Sequence, residues 1–68
     1  MELSARNQLH GKIRAVKHGT VMSEITIEIG GGQTLVSTIT RASAERMRLS
    51  EGDSVVAIVK ATEILIAK

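Results

Sequence analysis

The run Val21-Met22-Ser23-Glu24-Ile25-Thr26-Ile27-Glu28-Ile29 decides the fold class. In an extended chain Val21, Ile25, Ile27 and Ile29 share one face, and Glu24, Thr26 and Glu28 share the other. A period of two with one apolar side marks a half-buried strand. Met22 and Ser23 interrupt the alternation. The apolar members are β-branched, which suits a pleated surface better than a helix.

Outward from this strand the pattern repeats. Gly30-Gly31-Gly32 follows at once and residues 34–39 read as the next strand, so the spacing predicts an antiparallel hairpin. The triple glycine is read as a turn, because a phosphate loop would need Lys and then Ser or Thr opening a helix, whereas Gln33-Thr34-Leu35 follows. Upstream, residues 9–18 alternate imperfectly and end at Gly19-Thr20, a strand and its turn. Downstream, residues 40–49 hold the one expected helix. Thr40 is its N-cap, Ala42, Ala44, Glu45 and Arg46 favour helix, and Arg48 complements the C-terminal end of the dipole. After a turn at 50–53, residues 54–59 and 63–67 read as two last strands, joined at Lys60-Ala61-Thr62. The order predicts a mainly β domain over residues 1–68, a small OB-like barrel of about five strands with one short helix before the last two.

Composition narrows the function. A chain of 68 residues buries little of its surface, and such domains are commonly stapled by disulfides, a metal or partner subunits. There is no Cys, and His10 and His18 stand apart from any carboxylate pair, so no cation site is expected and oligomerisation is the staple left. The absence of Phe, Tyr and Trp removes the stacking platform of single-strand nucleic-acid binders. A net charge of +2 suits a small anion better than a DNA duplex. An OB-like nucleic-acid-binding module is therefore the alternative reading, and a purely structural oligomerisation domain a third. No apolar run is long enough to span a bilayer and the N-terminus lacks a signal peptide's apolar stretch, so a cytoplasmic protein is expected.

No serine, histidine and carboxylate set stands in a nucleophile setting, so no enzyme is expected. Three segments instead present hydrogen-bond donors. In Ser4-Ala5-Arg6 a hydroxyl and a guanidinium share one side of an extended chain. In Thr40-Arg41-Ala42-Ser43 two hydroxyls flank a helix start with its free N–H groups. In Lys60-Ala61-Thr62 a strand ends in a cation and an exposed N–H. A proton-free oxyanion needs donors and positive charge and no inward carboxylate, which these groups satisfy. Taken singly, Arg6 and Lys60 are ordinary solvated charges, Thr40 a plain N-cap and Ser43 a surface hydroxyl. Spacing alone does not bring them together.

The run Ser4-Ala5-Arg6-Asn7-Gln8-Leu9-His10-Gly11 closely resembles the opening of the molbindins, the small Mop-domain proteins. Thr38-Ile39-Thr40-Arg41-Ala42-Ser43 and Val59-Lys60-Ala61-Thr62 resemble them too, and the similarity runs over essentially the whole chain. The resemblance implies a free-standing Mop domain that binds molybdate or tungstate, without a cofactor and without chemistry, for intracellular storage or homeostasis. It implies an OB-like barrel assembled as a hexamer, a trimer of dimers, with oxyanions between subunits. Ser4 and Arg6 would come from one subunit and Thr40, Ser43, Lys60 and Ala61 from its neighbour, with backbone N–H groups supplied around Ala5 and Ala61. A second kind of oxyanion pocket is implied near the threefold axis, with Gly19, Thr20 and Val21 as its candidates beside the bland reading of a hairpin turn. His10 stands where many relatives have lysine, which softens the positive field without removing a ligand.

Overall fold

The computed structural model describes residues 2–68. Its order is β1 (Asn7–His18), β2 (Met22–Gly30), β3 (Gln33–Thr40), α1 (Arg41–Arg46) and β4 (Ser54–Val59), followed by a 3₁₀ turn at Ala61–Glu63. All neighbouring strands are antiparallel, in the sheet order β3-β2-β1-β4. The mainly β class and the single short helix agree with the sequence. The strand count and the closure do not.

Among the described residues four strands form, not five, and the sheet is open, with β3 and β4 as its edges. The segment 63–67 has the apolar pattern of a strand but pairs with no strand among the described residues. The 3₁₀ turn lies between it and β4, and Ile64 beyond the turn is extended at φ −95°, ψ 123°. Leu65 and Ile66 are 92% and 88% exposed. A strand needs a neighbour for its backbone groups, and an unaccompanied one stays irregular.

The decisive run lies in β2 except for its first residue. Val21 falls in the turn, while Ile25 and Ile27 enter the core with Ile13 and Ala44. Ser23, which breaks the apolar pattern, is buried as well at 1% exposure. Its hydroxyl is satisfied by Nδ1 of His18, 2.7 Å away and directly opposite on β1. The imperfect alternation of β1 has a physical cause. Its pairing with β2 shifts between Ile13 and Ala15, a bulge that moves the core face from Ile13 to Val16.

Two glycine features shape the sheet. Gly31 and Gly32 form the two-residue β2–β3 turn with φ of 61° and 76°, the positive values that a primed hairpin turn requires. At Gly11 a Cβ would collide with the carbonyl oxygen of Glu28 and lie 2.8 Å from Cγ2 of Ile27, so only glycine lets β1 approach β2 there.

The helix is shorter than expected, six residues rather than a run to Leu49. It ends in a Schellman closure: Leu49 N–H donates to Ala44 O at 3.1 Å and Arg48 N–H to Glu45 O at 3.0 Å. Arg48 takes the left-handed position, φ 52°, where glycine is usual. Ala44, 1% exposed, seats the helix on the core.

Candidate functional site

The β1–β4 ladder decides which candidate groups meet. Its end rung pairs Asn7 with Val59. Ser4, Ala5 and Arg6 precede Asn7, and Lys60 and Ala61 follow Val59, so both segments leave the sheet at the same end. The amide of Gln8 donates to Ala5 O at 2.9 Å and holds the incoming segment against β1. On the other side Lys60 O accepts from Glu63 N–H at 2.9 Å, which fixes the 3₁₀ turn. Ala5 is half-buried, while Ser4, Arg6, Lys60 and Ala61 are exposed. Among the described residues the ion pairs are Arg14–Glu28 and Arg41–Glu45, so the charges of Arg6 and Lys60 are uncommitted.

Thr40 and Ser43 form a second cluster. Thr40 Oγ1 accepts from Ser43 N–H at 3.1 Å and donates to Ser43 Oγ at 2.8 Å. The Thr40 hydroxyl is thereby engaged as donor and acceptor, and the Ser43 hydroxyl keeps its proton for an outward donation. Six residues make a weak dipole, so the hydroxyl pair counts for more here than the helix end. Thr40 pairs with Met22, and His18 with Ser23, which places this cluster at the far end of β1 from Asn7. A strand of twelve residues such as β1 covers on the order of 30 Å. Within one chain the two clusters do not converge, and Lys60 and Ala61 leave the sheet at the end of Ser4 and Arg6, not with Thr40 and Ser43 as the resemblance implies.

The turn 19–21 lies beside the second cluster. Gly19 N–H donates to Met22 O at 2.7 Å, and Arg41 N–H to Val21 O at 2.8 Å. The Arg41 guanidinium reaches Gly19 O at 3.3 Å and pairs with Glu45 through Nε at 2.6 Å. Thr20, Val21, Arg41, Ala42 and Glu45 line an open hollow of about 490 Å³. Its cation and its carboxylate are already paired with each other. Arg41 was not singled out from the sequence, although its i, i+4 spacing to Glu45 was visible there.

A separate hollow of about 220 Å³ opens over the core and is lined by Ile13, Ile25, Ile27, Ile39, Leu49 and further apolar groups, with Ser37 as its polar member. Its lining offers an oxyanion no charge, so it belongs to packing. Among the described residues no group of three or more His, Asp or Glu is placed to hold a metal cation. None of their helices is long and apolar enough to cross a membrane.

Residues 3–66 match the TOBE domain. The chain belongs to the TOBE-domain family. Like this TOBE domain, molybdenum-pterin-binding protein 3 of Clostridium pasteurianum is a small chain, 44% identical over 66 residues that cover 97% of each. The fold is similar to that of a molybdate-binding protein from Sporomusa ovata, with a TM-score of 0.93, 40% identity and full coverage of both chains. It is also similar to ModG, a cytoplasmic molybdate-binding protein solved with molybdate bound. There the TM-score is 0.85 at 34% identity, over 90% of this TOBE domain and 43% of ModG. The resemblance to the molbindins seen in the sequence agrees with these relatives.

Proposed function

We propose that this chain binds molybdate, and tungstate alike, as an intact oxyanion between copies of itself, and carries out no reaction on it. The observation that carries the reading is the likeness, over essentially the whole chain, to a molybdenum-pterin-binding protein in sequence and to a molybdate-binding protein in fold. The donor clusters give it a physical basis. Arg6 and Lys60 supply uncommitted positive charge at one end of the sheet, with the Ser4 hydroxyl and the backbone around Ala5 and Ala61. Thr40 and Ser43 supply hydroxyls at the other end. An anion gripped by both sets needs two chains, because one chain holds them apart.

Exposed surface supports such an assembly. Ile64, Leu65 and Ile66 lie open beside an open sheet. Neither edge strand, Gln-Thr-Leu-Val-Ser-Thr-Ile-Thr in β3 or Ser-Val-Val-Ala-Ile-Val in β4, carries the charge or proline that usually blunts a lone edge. We take the assembly to be a hexamer, a trimer of dimers, with Gly19, Thr20 and Val21 as candidates for a second oxyanion pocket. Storage or homeostasis of the anion in the cytoplasm is the role that fits reversible binding without chemistry.

Calorimetric titration of the anion-free protein with sodium molybdate tests the reading. Saturable heat and a rise in thermal midpoint with molybdate concentration are expected, since a ligand that binds only the folded state stabilises it by mass action. Absence of both at millimolar anion overturns it.

A further inference from the structure

Among the described residues Arg41 is the one that joins the hydroxyl cluster to the neighbouring turn by hydrogen bonds. Its backbone N–H holds Val21 O at 2.8 Å, and its guanidinium reaches Gly19 O at 3.3 Å, across 22 positions of sequence. Glu45, one helical turn onward, takes the Nε–H at 2.6 Å and so fixes the direction of the guanidinium. Thr40 precedes Arg41 directly, and its hydroxyl is bonded to that of Ser43. The helix carries Ser43 and is capped by Thr40, the last residue of β3; it is only six residues long and has one buried side chain, Ala44. Packing by itself gives such a short helix little resistance to sliding or fraying. Arg41 and Glu45 are about half exposed, at 46% and 56%, and exposed ion pairs contribute little to global stability. What this pair fixes is placement.

We propose, on the reading that the chain binds molybdate, that Arg41 and Glu45 act together as positioning residues. They clip α1 to the turn 19–21 and hold the Thr40–Ser43 hydroxyls where the oxyanion meets them. Glu45 gives the idea a test of sign. A carboxylate near an anion repels it, so by Coulomb's law alone Glu45→Ala strengthens molybdate binding. A clip predicts the reverse, because without Glu45 the guanidinium swings free of Gly19 O and the hydroxyl pair loses its fixed position.

The experiment measures molybdate affinity by calorimetry, and the thermal midpoint of the anion-free protein, for the unaltered chain and for Arg41→Ala, Glu45→Ala and Glu45→Gln. Roughly tenfold weaker binding is expected for both alanine variants, the low end of what outer-shell partners of a bound ion contribute, with the anion-free midpoint unchanged. Glu45→Gln keeps an acceptor for the Nε–H and falls between. Unchanged or tighter binding in Glu45→Ala overturns the proposal, as does a loss of affinity that merely tracks a fall in midpoint. If the unaltered chain binds no molybdate, the functional reading fails with it. If the unaltered chain binds and the variants match it, the clip alone fails.

Discussion

Asn7 pairs with Val59 as the end rung of the β1–β4 ladder, and that one pairing brings the two ends of the sequence to the same edge of the molecule. Arg6 and Lys60 stand just outside it, exposed and without a carboxylate partner among the described residues. Arg6→Ala and Lys60→Ala are each expected to weaken molybdate binding by about 1.5–3 kcal/mol, the worth of a charge-assisted hydrogen bond. Their unfolding midpoints in urea should match the parent, because neither side chain touches the core. Calorimetry checks the first statement and circular dichroism the second. Parental affinity in both variants would place the anion elsewhere.

The exposed C-terminal segment sets a second expectation. On an isolated chain Leu65→Glu changes a 92% exposed position and should be nearly neutral. If Leu65 is buried between copies, the change removes about 1.5–3 kcal/mol of apolar burial per copy and adds a desolvated charge. Light scattering after size exclusion should show the parental assembly falling to smaller species, with anion binding lost alongside. An unchanged mass would clear this segment of any part in assembly.

His18 and Ser23 make an unequal pair, since Ser23 is buried at 1% exposure and His18 is exposed. Ser23→Ala leaves the imidazole free to bond water and should cost about 1 kcal/mol. His18→Ala leaves a buried hydroxyl without its partner and should cost more, about 1–3 kcal/mol. Urea denaturation of the two variants gives the order. A larger loss for Ser23→Ala would mean that the hydroxyl has another partner.

Arg48 closes α1 from the left-handed region, at φ 52°. That conformation costs a side chain roughly 1–2 kcal/mol and glycine very little, while glycine adds entropy to the unfolded chain. Arg48→Gly should therefore stabilise the protein by about 0.5–1 kcal/mol, with anion affinity unchanged. A drop in stability would show that the Arg48 side chain contributes packing that outweighs the strain.

How far the sequence could be read follows from which signals are local. The alternation of Ile25, Ile27 and Ile29 and the glycine turn after them gave the hairpin directly, because face and turn are encoded within a few residues. Ser23 looked like a flaw in its strand. Its burial depends on His18 across the ladder, a partner visible only once the register is known. The early helix end was hidden, since arginine rather than glycine holds the left-handed position. The segment 63–67 has the apolar pattern of a strand, yet a pattern records that a surface is to be covered and not by which chain. The same holds for the site. Each donor cluster was legible from residue type, whereas the separation of Thr40 and Ser43 from Arg6 and Lys60 emerged only from the pairing of β1 with both neighbours.

On this reading a proton-free oxyanion is held by donors drawn from two copies of the chain. Crystals grown with molybdate, with diffraction recorded at the molybdenum absorption edge, test it most directly. An anomalous peak is expected at a junction between subunits, with Arg6 and Lys60 on one side and Thr40 and Ser43 of another copy on the other. A peak enclosed by a single chain, or one seated against carboxylates, would contradict it.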